Sequence, residues 1–152
     1  LPRERLYQEL QQPTEQVSLA RAALYIAQEE YPYLVADDYL AMLDRMADTL
    51  SQRLPKAPYP LKIIRAINDY LFGDLNFRGN SMEYYDPRNS FLNEVLERRV
   101  GIPITLSLVY LELARRIGFP MVGVSMPGHF LIRPTVDEMD IFVDPFHQGE
   151  IM

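Results

Sequence analysis

Apolar residues recur at intervals of three and four along most of the chain, and strict alternation appears only near its end. That order predicts helices first and strands last. Val17–Glu30 sets Val17, Ala20, Leu24 and Ala27 on one face and is stopped by Pro32. A second helix opens at Asp37 or Asp38, either of them a competent cap. It runs through Leu40, Leu43, Ala47, Leu50 and Leu54 and closes at Pro55. Beyond the stiff connector of Pro55, Pro58 and Pro60, a third helix carries Ile63, Ile64, Ile67 and Leu71 and stops at Gly73. Periodicity is lost from Phe72 to Asn89, where turn formers mix with aromatics. A loop of that length is either functional or packed by its own side chains. A fourth helix, from about Ser90 to Arg99, turns Leu92, Val95 and Leu96 inward, with Gly101 just past its end. A fifth starts at Pro103 and buries Leu106, Val109, Tyr110, Leu113 and Ile117; Gly118 and Pro120 end it.

Strand patterns follow at Met121–Met126, His129–Pro134 and Asp140–Asp144, separated by Pro127-Gly128 and by the polar segment Thr135 to Met139. Setting His129 opposite Asp144 also pairs Phe130 with Val143, Leu131 with Phe142, Ile132 with Ile141 and Arg133 with Asp140. Apolar then meets apolar and cation meets anion, which predicts this register and puts His129 and Asp144 side by side on one face. The expected fold is α+β: a helical N-terminal half, then a central helix packed on a small antiparallel sheet. Residues 1–58 form the helical segment and 59–152 the core, in one compact domain.

Composition narrows the functions. The 152 residues are 48% hydrophobic with a formal charge of −6. That balance disfavours nucleic acid, whose binding needs lysine and arginine against phosphates. The pairs Arg98-Arg99 and Arg115-Arg116 read as solvated helix faces. No run approaches the roughly 18 apolar residues of a membrane span, and the charged start resembles no signal peptide. A cytoplasmic protein is expected. Leu1 in place of methionine is what a piece of a longer protein shows. Cysteine is absent, which excludes disulfides, thiolate metal sites and a thiol nucleophile.

The motif order carries a resemblance. Gly101-Ile102-Pro103, a helix ending Arg115-Arg116-Ile117-Gly118-Phe119-Pro120, then Gly128-His129-Phe130 and Val143-Asp144-Pro145 resemble the transglutaminase-like core of the papain-like fold. Phe77-x-Gly79-Asn80, Asn89-Ser90-x-Leu92-Asn93-x-Val95-Leu96, Gly101 to Leu106, Pro127 to Phe130 and Asp144-Pro145-Phe146 are similar to its SirB-type branch, often linked to tetratricopeptide repeats. The resemblance covers about residues 60–149. It implies a catalytic triad whose cysteine falls at Pro103, with His129 and Asp144 as the retained partners.

The consequence is physical. In such sites the helix dipole and a neighbouring imidazolium favour the thiolate, and the aspartate fixes the histidine's tautomer. Proline supplies neither a nucleophile nor a backbone N–H. Thr105 lies about 200° around the helix and points away, while Ser107, about 6 Å deeper, is a weak substitute expected to bond the preceding turn's carbonyl. The resulting expectation is a non-catalytic peptide- or protein-binding or scaffolding module, a pseudoenzyme. Alternatives stay open: an amide hydrolase or acyl-transfer enzyme using His129 with water or a hydroxyl, or a structural domain serving repeats beyond Met152. His129 and Asp144 also fit a buried pair that satisfies only itself. Asn80, Tyr84, Tyr85 and Asn89 are candidate cleft-lining residues, or turn formers and loop cover. No cofactor is expected. His129, Asp144, His147 and Glu150 show no recognised ligand spacing, so no metal is expected either.

Overall fold

A computed structural model describes residues 1–12, 18–135 and 140–152. The elements run α1 (Pro2–Leu10), α2 (Leu19–Glu30), α3 (Ala36–Gln52), α4 (Pro60–Asn68) with a π-helical extension (Asp69–Asp74), β1 (Arg78–Gly79), a 3-10 turn (Pro87–Ser90) and α5 (Leu92–Arg98). They continue with β2 (Val100–Gly101), α6 (Pro103–Arg116), β3 (Met121–Met126), β4 (His129–Pro134), β5 (Val143–Asp144), a second 3-10 turn (Pro145–His147) and β6 (Glu150–Ile151). This is the α+β arrangement that the periodicity predicts.

Local chemistry explains the helix ends. Ser18 caps α2 by accepting from the Arg21 N–H at 3.1 Å; the expected Val17 position lies outside the described residues. The α3 helix begins one residue before the expected caps. Asp37 and Asp38 therefore sit in its first turn, where carboxylates face the positive dipole end. Proline stands at the first position of α1, α4 and α6. Periodicity does not announce α1, because its nine residues bury only Glu9. Helix α5 ends in a left-handed residue, as expected, but Arg99 takes that conformation at φ 59° rather than Gly101. Gly101 is needed elsewhere: a Cβ there would sit 2.7 Å from Thr105 Oγ1.

One apolar cluster joins Leu24, Leu43 and Leu50 of the helical half to Ile64, Leu106, Val109, Leu113, Ile132 and Val143. Helix α6 lies at its centre, with Leu106, Val109, Tyr110 and Leu113 all at 0% exposure. Burying each such side chain stabilises the fold by roughly 1.5–3 kcal/mol.

The sheet β3-β4-β5-β6 is antiparallel, and β1 pairs with β2 in parallel. Strands β3 and β4 have the expected limits, and Gly128 at φ 78° makes their turn. The β4–β5 register differs from the expected one. Ile132 lies opposite Val143, a shift of two residues. Both are fully buried, and Val143 also pairs with Ile151 of β6 on its other side. Core packing from two directions outweighs the longer run of apolar matches. A two-residue shift preserves the face, so Asp144 follows the face of Leu131 and His129. It stands about 7 Å along the strand from the position facing His129.

Candidate functional site

The start of α6 is built by side chains that precede and follow it. Thr105 Oγ1 accepts from the Ile102 N–H at 3.1 Å and donates to the Asn89 carbonyl at 2.8 Å. Its hydroxyl is thus committed in both directions. Pro103 is half-buried at the first helical position, and Ile104 is exposed. Ser107 is 0% exposed, and its Oγ has no hydrogen-bond partner among the described residues. The expected bond from Ser107 to the preceding turn is not made.

The loop before the site is held by two amides. Asn89 is fully buried; its Nδ2 donates to the carbonyls of Glu83 and Tyr84 at 2.8 and 3.1 Å. Its Oδ1 accepts from Asn80 Nδ2 at 3.2 Å, and Asn80 Oδ1 accepts from the Glu83 N–H at 2.9 Å. The two asparagines therefore tie the loop from residue 80 to 89 to itself and, through Thr105, to α6. At the foot of the 3-10 turn, hydrogen bonds from Arg88 hold the Asp86 carboxyl well below its ordinary value, at about 2.

Motifs far apart in sequence meet at β1. Gly79 pairs with Gly101, and the Asn80 N–H donates to the Gly101 carbonyl at 2.9 Å. On its other side, a Cβ at Gly79 would lie 2.6 Å from the Phe146 carbonyl oxygen. Only glycine allows this approach. It sets the beginning of α6 and the turn after β5 against the same short strand.

That turn contains the acid–base pair. Asp144 is 4% exposed; its Oδ1 accepts from the Phe146 N–H at 3.0 Å, and its Oδ2 lies 2.8 Å from His147 Nδ1. With a carboxylate accepting at Nδ1, the neutral imidazole keeps Nε2 as its free acceptor. The His147 side chain is 56% exposed. An aromatic row approaches it: Tyr85 on Tyr84 at 5.3 Å, Tyr84 on Phe146 at 5.9 Å and Phe146 on His147 at 5.1 Å, all edge-to-face. Tyr84 is 40% exposed and Tyr85 92%.

His129 lies elsewhere on the sheet. It opens β4 opposite Met126, is exposed, and its side chain makes no hydrogen bond among the described residues. The histidine bonded to Asp144 is His147. The signal for it was local: Asp144-Pro145-Phe146-His147 places the two side chains one tight turn apart, whereas the cross-strand argument needed a register that β5 does not adopt.

Residues 37–152 match the family model described as transglutaminase-like superfamily. A UPF0162 protein of Xylella fastidiosa is 46% identical over 136 residues, covering 89% of this chain and 48% of that protein. A UPF0162 protein of Pseudomonas aeruginosa is 35% identical over 133 residues, covering 84% of this chain and 46% of its own length. The human F-box only protein 21 is 32% identical over 171 residues, covering 93% of this chain and 27% of that protein. The chain thus spans about half the length of these bacterial relatives, and less of the human one. No solved structure matches the chain.

Proposed function

The chain belongs to the transglutaminase-like superfamily, and from that premise we propose that it is a non-catalytic domain whose surface beside the Asp144 turn holds a peptide or protein partner. One observation carries the reading: among the described residues, no attacking group is open to substrate at the helix start. Pro103 stands where the resemblance puts the nucleophile, Thr105 is bonded in both directions, and Ser107 is 0% exposed. A triad needs its nucleophile within hydrogen-bond reach of the base and open to substrate. The row of Tyr85, Tyr84, Phe146 and His147 offers an amphipathic surface of the kind enriched at interfaces.

A protein partner suits a domain that accounts for only 27% of the human relative, where it stands beside other segments. A cytoplasmic location, a place in the SirB-type branch and a link to tetratricopeptide repeats belong to the same proposal, supported by composition and motif order. Among the described residues no helix is long and apolar enough to cross a membrane. Chemical-shift mapping with pooled short peptides tests the reading: signals of Tyr84, Phe146 and His147 move together, and the peptides are recovered intact. Shifts that avoid all three residues contradict it.

A second reading has its own observation. The buried Asp144 carboxylate orients a half-exposed His147, an arrangement able to activate water for amide hydrolysis. In that reading His147 takes the part expected of His129, and Ser107 takes none. Turnover lost in His147→Ala and kept in His129→Ala favours it.

A further inference from the structure

A second surface shares no residue with the Asp144 turn or the start of α6. The end of α2, the Tyr31–Leu34 turn, the beginning of α3 and one side of α5 enclose two adjoining clefts of about 380 and 310 Å³. They have Tyr33, Leu34, Tyr39 and Glu97 in common, so together they form one groove.

Its charge is one-sided. Four carboxylates line it, Glu30, Asp38, Glu94 and Glu97, against the single guanidinium of Arg45. Its walls are aromatic. Tyr31 is fixed edge-on to Phe91 at 5.4 Å, and the Tyr39 hydroxyl donates to Glu97 Oε1 at 2.6 Å. Burial first, then the bond to Glu97, pushes the Tyr39 phenol up to about 12. Tyr33 stands 97% exposed at the rim. Asn93 belongs to the same groove. It lines the first cleft at 4% exposure, and its Oδ1 has no hydrogen-bond partner among the described residues.

These features specify one kind of occupant. Carboxylates attract a cation, and tyrosine faces hold one by their quadrupole. An anion would be repelled, and a purely apolar segment would desolvate four carboxylates without compensation. We propose that this groove binds a lysine or arginine side chain presented by a basic segment of a partner protein. The net charge of −6 acts in the same direction at long range. The proposal is independent of the reading of the Asp144 turn, and either can fail alone.

The test uses acetylated, amidated hexalysine and hexaarginine, with hexaglutamate as the control, titrated into the whole chain and followed by amide chemical shifts. The expected shifts concentrate at Tyr33, Tyr39, Asn93 and Glu97, and hexaglutamate produces none there. Tyr33→Ala combined with Glu97→Gln weakens binding about tenfold or more. Both positions are exposed, and the glutamine still accepts from Tyr39, so the variant keeps its fold. Asp48→Asn, an exposed carboxylate of α3 outside the groove, leaves affinity unchanged. Shifts spread over the acidic surface generally, or equal affinity for the double variant and the parent, overturn the proposal.

Discussion

Asp144 Oδ2 lies 2.8 Å from Nδ1 of His147, three residues ahead of it in the same tight turn. The same carboxylate caps that turn by accepting from the Phe146 N–H. One buried group therefore both shapes the backbone and orients the imidazole. Asp144→Ala removes both bonds and is expected to cost about 1–2 kcal/mol, as loss of a cap does. His129→Ala, at an exposed strand end, is expected to stay within about 0.5 kcal/mol of the parent. Urea unfolding of the two variants measures the difference, and equal losses would mean that His129 has a structural role its exposure does not show.

Gly79 is where β1 is pressed against Phe146. A methyl group there meets the Phe146 carbonyl at 2.6 Å and the ring at 2.7 Å, and backbone cannot yield as a flexible side chain can. Gly79→Ala is expected to destabilise the chain by about 1–3 kcal/mol and to move the ring signals of Tyr84 and Phe146. Gly73 is the control. Nothing lies within 4 Å of a Cβ at that position, so Gly73→Ala is expected to be neutral or slightly stabilising in the same unfolding assay.

Asn89 holds the loop that carries the tyrosines. Asn89→Ala leaves the Glu83 and Tyr84 carbonyls and the Asn80 amide without their partner. The expected loss is about 1–3 kcal/mol. Amide hydrogen exchange at residues 80–89 is expected to speed up while the α6 core keeps its protection.

Two groups give the chain pH signatures of opposite sign. Asp86 is held at about 2 against an ordinary 3.8, so its contribution is complete above the ordinary value and disappears as pH falls through about 2. Tyr39 is raised from 10.0 to about 12, so its contribution is complete below the ordinary value and is lost as pH rises through about 12. Carboxyl NMR signals report the first midpoint, which moves back toward the ordinary value in Arg88→Ala. Tyrosinate ultraviolet absorbance reports the second, which falls in Glu97→Gln.

The fold was legible wherever a period had room to repeat. Leu40, Leu43, Ala47 and Leu50 marked α3, Leu106 to Leu113 marked α6, and the limits of β3 and β4 could be read from alternation around Pro127-Gly128. Strands β1, β2 and β6 have two residues each, too few to alternate, and the partner of β1 lies more than twenty residues away. Their pairing depends on tertiary contact, through Gly79 and Gly101. The site was legible in its motifs and less so in its geometry. Asn80 and Asn89 bond each other directly, which no spacing rule announces. Asp144 was visible, but the bonding partner of its side chain followed from a turn rather than from the strand register.

On the proposed reading, the Asp144–His147 pair orients an imidazole that has no free attacking group beside it among the described residues. The most direct measurement is turnover of model amide and ester substrates by the purified chain beside His147→Ala and Asp144→Asn. The expected rates of all three cannot be told apart from the uncatalysed background. Turnover in the parent chain that disappears in His147→Ala contradicts that reading.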